Sequence, residues 1–110
     1  MRIPNCKRAF VDTRKLRDYS LNPDHPRGRY KAQVFAAALG LTADDTDALR
    51  EKLLDVACDD EASMTETDVY GRRYQLDFDM AWHDKQARIR SAWIIRHDED
   101  FPRLVSCYVM

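Results

Sequence analysis

Hydrophobic positions along this chain change period once, from helical spacing before about residue 63 to alternation after it. Asp12-Thr13 is a capping pair that predicts a short helix through about Tyr19, which Asn22-Pro23 stops. The stretch Pro23 to Gly28 reads as a turn-rich loop. A second helix is predicted from about Arg29 to Leu39, with Tyr30, Val34, Ala37, Ala38 and Leu41 as its buried stripe. Gly40 falls where a left-handed cap is wanted. A third helix, opened by Thr42 or Asp45, carries Leu49, Leu53, Val56 and Ala57 on one face and acidic side chains on the others.

Beyond Ser63 the pattern is that of strands. Tyr74, Leu76, Phe78, Met80 and Trp82 alternate with Gln75, Asp77, Asp79 and Ala81. Tyr70-Gly71 marks a turn before that strand, and His83 to Gln86 a turn after it. A strand from about Ala87 to Arg96 puts Ile89, Ser91, Trp93 and Ile95 on one face, with Arg88, Arg90, Ala92, Ile94 and Arg96 on the other. Arg103 to Val109 follows as the last strand. The connections are too short for crossover helices, so the sheet is an antiparallel meander of three or four strands. The predicted class is α+β, with two or three N-terminal helices packed on one face of the sheet and residues 1–110 forming a single domain. Leu76, Phe78, Trp93 and Ile95 are its predicted core.

Composition adds few exclusions. No apolar run approaches the roughly 18 residues of a membrane span, and the N-terminus has no signal-peptide stretch, so a cytoplasmic protein with no membrane association is expected. Cys6, Cys58 and Cys107 are odd in number and far apart, a pattern that predicts unpaired, reduced thiols. The net charge of −1 conceals segregation. Residues 1–35 hold nine basic and three acidic side chains, whereas residues 41–68 hold two basic and ten acidic ones. A basic first third attracts phosphate, and an acidic middle repels nucleic acid or attracts a basic partner.

Several runs have a familiar look: Lys15 to Asn22, then His25-Pro26-Arg27-Gly28-Arg29-Tyr30-Lys31-Ala32, Phe35 and Leu39-Gly40. Gly71, Ser91-Ala92-Trp93-Ile94 and Pro102 to Ser106 extend the match along the chain. Together they resemble a small bacterial domain family of unknown function, marked by the spacing His-Pro-x-Gly-x-x-Lys-Ala. The order of helices then sheet is similar to the superfamily named for barnase, EndoU, colicin nucleases and RelE. That resemblance implies a metal-independent endoribonuclease toxin of a toxin–antitoxin or polymorphic-toxin system. RNA and a cognate antitoxin or immunity protein are its implied partners, and no cofactor is called for.

Cleaving RNA without metal needs a base for the 2′-hydroxyl, an acid for the leaving oxygen and cations around the phosphorane. His25, set between two prolines, is the acid/base candidate, with Arg29, Lys31 and Ser91 completing the expected catalytic set. Arg27 and Gly28 at the start of the second helix suit a phosphate, and Arg88, Arg90 and Tyr108 on the sheet suit the substrate strand. Each has a plainer reading. His25 closes its loop with a hydrogen bond, Lys31 lays its stem along the core edge, and the strand arginines form a solvated face. No metal site is expected, since neither His83 nor His97 has ligand spacing. Phosphate-loop, dinucleotide and nucleophile-elbow motifs are missing. The competing function is a non-catalytic module that docks protein through the acidic third helix or nucleic acid through the basic first third.

Overall fold

A computed structural model describes residues 1–110. A turn of 3₁₀ helix at Cys6–Arg8 leads to α1 (Thr13–Lys15), which widens into a π-helical turn at Leu16–Ser20. The Asp12 carboxylate accepts from the Arg14 amide at 2.9 Å, the cap its position predicts. Helix α2 (Arg29–Leu39) ends at Gly40 with φ of +72°, and the Gly40 N–H donates to the Ala36 carbonyl at 2.9 Å. Thr42 and Asp45 each open an element. A 3₁₀ turn at Ala43–Asp45 follows Thr42, whose N–H donates to the Asp45 carboxylate at 2.9 Å, and α3 (Thr46–Asp59) follows Asp45.

The second half is a four-stranded antiparallel sheet in the order β1 (Ser63–Thr67), β2 (Gly71–Trp82), β3 (Lys85–Arg96), β4 (Arg103–Val109). The fold is α+β, with the helices preceding the sheet. Register sets Tyr74 opposite Trp93 and Phe78 opposite Ile89, which brings one parity of both strands onto the helices. Leu76, Phe78, Trp93 and Ile95 are all buried there, against Leu16, Phe35, Leu39, Leu49 and Leu53. A bulge between Ala92 and Trp93 sets Ser106 and Leu104 opposite them and leaves Val105 as the extra residue. Phe10 pairs in parallel with Arg103, so the N-terminal segment lies along part of the outer edge of β4.

Three expectations need correction. The buried stripe of α2 is Ala32, Phe35 and Leu39, whereas Tyr30 and Val34 are exposed. Two apolar stripes compete on that helix, and the one built on Phe35 and Leu39, with no hydroxyl to satisfy, faces the core. Strand β1 has no alternating pattern because every residue in it is exposed. Cys6 and Cys58 form a disulfide, their Cα atoms 5.1 Å apart, because the first 3₁₀ turn packs at the end of α3. Only Cys107 is free.

Burial pushes the Cys107 thiol up to about 12, leaving almost no thiolate at neutral pH. Native protein at pH 7.5 is therefore expected to resist iodoacetamide. In denaturant without reductant it should gain one adduct by intact mass. Two or three adducts would count against the bridge.

No helix is long and apolar enough to cross a membrane.

Candidate functional site

The loop between Pro23 and Gly28 is organised by His25. Its Nδ1 accepts from the backbone N–H groups of both Arg27 and Gly28, each at 3.0 Å. An Nδ1 that accepts these bonds carries no proton, which leaves the ring's N–H on Nε2. Abstracting a proton at Nε2 would require the opposite tautomer and break both loop bonds. The same two amides are thereby withdrawn from any phosphate. His25 is the loop's closing side chain.

Around it the other predicted residues divide. His25 packs edge-on against Tyr19 with ring centroids 4.7 Å apart, and the Lys31 ammonium lies 5.5 Å from the same Tyr19 ring and 5.7 Å from Tyr108. Arg29 turns away, its guanidinium 4.8 Å over Tyr30 and donating to that hydroxyl at 3.0 Å. Arg27 is exposed without an ion pair, and Gly28 is buried against the Tyr19 backbone. Arg88 is tied to Asp79 at 3.1 Å, and Arg90 grips Asp77 through two bonds of 2.9 and 3.0 Å. That grip holds the Asp77 carboxyl below its ordinary value and raises the Arg90 guanidinium.

Ser91 is corrected outright. It is fully buried on the helix side of the sheet, donating to the Leu76 carbonyl at 2.7 Å and accepting from Trp93 Nε1 at 2.9 Å. Both hydrogen bonds of its hydroxyl are made within the core.

The densest group of cations lies elsewhere. On the face of the sheet away from the core, beside β4, a cavity of about 380 Å³ is lined by Arg73, Arg96, Arg103 and Lys15. Ile94, Leu104 and Val105 supply apolar surface, and exposed Phe10 and Tyr70 stand at its rim. Parity puts Arg73, Ile94 and Arg96 together, because their neighbours Tyr74, Trp93 and Ile95 face the core. Lys15 reaches across from α1 and donates to the Val105 carbonyl at 3.0 Å.

Carboxylates hold two of these cations in place. Arg73 pairs with Asp68 at 2.7 Å and Arg103 with Glu99 at 2.6 Å, and each guanidinium keeps its carboxyl below the ordinary range. The Arg103 guanidinium also sits 5.1 Å over Phe10 and 5.0 Å over Phe101. Arg96 lies 4.0 Å from Glu99, the loosest ion pair at the site, and Lys15 has no carboxylate partner. Asp12 is the acid of the lining. It is already bound by Arg14, whose hydrogen bonds lower its carboxyl, so Arg96 and Lys15 are the charges most available to an anion. No three His, Cys, Asp or Glu side chains come together as a metal site.

Lys15, Arg73, Arg103, Phe10 and Tyr70 were not singled out by sequence reasoning. Strand parity placed Arg96 on the outer face, and would have placed Arg73 there too. Phe10 carries no sequence signal for this site and Lys15 only the general basicity of the first third, because the chain path alone brings them to it.

These features define an α+β fold with a basic, aromatic-rimmed cavity beside its last strand. The chain belongs to the family described as Domain of unknown function (DUF6883), whose model matches residues 2–110. Comparison with curated proteins finds no match.

Proposed function

We propose that the protein is a metal-independent endoribonuclease of the toxin type, with the cavity at Arg73, Arg96, Arg103 and Lys15 as its site. The observation that carries this reading is the cavity's composition: four cations, apolar surface and two exposed aromatic rings around one concavity. Cations take the phosphate and the developing phosphorane charge, while a ring at the rim takes the face of a base. The proton-carrying groups of the lining are Asp12, Lys15 and Tyr70. In this reading the exposed Arg14 side chain releases Asp12, whose carboxylate then accepts the 2′-hydroxyl proton, and Tyr70 or Lys15 returns one to the leaving oxygen. His25 supports the loop instead of the chemistry.

Purified protein incubated with total RNA in EDTA should yield discrete fragments. Arg96→Ala should lower the cleavage rate about 10²-fold, the scale for removing one transition-state donor, with little change in thermal midpoint, since its ion pair is loose and exposed. His25→Ala should keep cleavage and lose stability by about 1–2 kcal/mol, because two loop amides, one of them exposed, lose their acceptor. Cleavage abolished by His25→Ala at unchanged stability would return the site to the loop.

A second reading, binding without cleavage, is favoured by the existing pairing of Arg73 and Arg103 with carboxylates. Saturable RNA binding with intact RNA after prolonged incubation would select it.

A further inference from the structure

A second concavity, of about 460 Å³, adjoins the first and shares Asp12, Lys15 and Val105 with it. Its far end is formed by Tyr19, Lys31 and Ser106. We infer that the two are one continuous groove passing over the β4 edge, and that it binds a single-stranded polynucleotide of at least two nucleotides, with Lys31 and Tyr19 holding the nucleotide next to the one in the first cavity. This rests on the reading given under Proposed function and extends it to a second subsite.

Lys15 is the joint between the two. Its ammonium is fixed on the Leu104 and Val105 carbonyls at 3.5 and 3.0 Å, so a positive charge stands where the cavities meet. It also occupies edge carbonyls that another strand would need in order to pair there. Lys31 is half-buried, makes no ion pair and is flanked by the Tyr19 and Tyr108 rings. A cation held by π faces, with no carboxylate, keeps its charge for an incoming anion. The acids nearby are already engaged. Arg14 binds Asp12, and Arg17 binds Asp18 through bonds of 2.8 and 3.1 Å.

The joint lining therefore combines cations, Arg96, Lys15 and Lys31 among them, with the rings of Tyr70 and Tyr19. A single strand offers phosphates to such cations and bases to such rings, and stacking on side-chain rings tolerates any base. The groove thus selects strand length over sequence.

The test uses fluorescein-labelled 2′-O-methyl oligouridylates, which cannot be cleaved through the 2′-oxygen, of one, two and four residues. Affinity is read by anisotropy in EDTA. It should rise about tenfold from one residue to two and much less from two to four. Lys31→Met, which keeps the stem and removes the charge, should abolish the first step and reduce the dimer's salt slope by about 0.7. Lys31→Arg should restore both. Lys52→Ala removes a charge from α3, outside either cavity, and should retain the step. A step that persists in Lys31→Met, or mononucleotide binding with no step in the native protein, overturns the second subsite and leaves the first cavity standing. If no length binds, both readings fall.

Discussion

Reduction of the Cys6–Cys58 bridge should lower the thermal midpoint by roughly 15 °C. The bridge closes a span of 52 residues that contains α1, α2 and nearly all of α3. Closing a loop of that length removes about 4 kcal/mol of chain entropy from the unfolded state. For a chain of this size, 1 kcal/mol corresponds to about 4–5 °C. The consequence reaches the cavity as well. Cys6 leads into the segment whose Phe10 exchanges backbone bonds with Pro102 and Leu104, at 2.8 and 3.0 Å, and forms one side of the site. Calorimetry with and without dithiothreitol, and on Cys6→Ser with Cys58→Ser, measures the effect. Midpoints agreeing within 3 °C would show that the helical layer holds without the bridge.

The sheet was legible because alternation is a direct imprint of burial on one face. Leu76, Phe78, Trp93 and Ile95 are core for the same reason that Asp77, Arg90 and Arg96 are not. Gly40 was legible because few residues other than glycine tolerate its backbone. The azimuth of α2 was not legible. Tyr30 and Val34 share one stripe while Phe35 and Leu39 share another, and spacing alone gives both equal standing. The disulfide was hidden for a different reason: sequence separation carries no information about which turns pack together.

The residues singled out in the sequence and the residues that line the cavity overlap only in part. A basic first third and arginines on the outer sheet face pointed to phosphate, and both contribute to the cavity through Lys15 and Arg96. The difference arises because sequence reading favours the densest motif. His25, Arg27 and Gly28 are concentrated in sequence because they build one tight loop, with the imidazole as its internal acceptor. The cations that converge in space come from α1, β2, β3 and β4. A cavity assembled from four elements leaves no local signature, whereas a loop assembled from six consecutive residues leaves a strong one.

Gly28→Ala should lower stability by about 3 kcal/mol, roughly 13 °C in midpoint, and disable the Lys31 end of the groove. The backbone at Gly28 has φ of −85° and ψ of −15°, which alanine adopts freely, so conformation is not the obstacle. Space is. A Cβ there would lie 2.1 Å from the Tyr19 carbonyl oxygen and 2.8 Å from its carbon, both backbone atoms that cannot rotate aside. Relief requires the π-helical turn at Leu16–Ser20 and the start of α2 to separate. Leu16, wholly buried in that turn, would lose part of its packing as they part. Tyr19 would move with the turn, carrying the ring on which both His25 and Lys31 rest. His25→Ala, by contrast, loosens the loop without forcing the two segments apart. Thermal melts of the two variants should therefore place Gly28→Ala below His25→Ala. In the binding assay Gly28→Ala, kept well below its midpoint, should lose the gain from one nucleotide to two while still binding one. A Gly28→Ala protein as stable as the native chain would show that the turn and α2 can separate at little cost, and the close approach would lose its structural meaning.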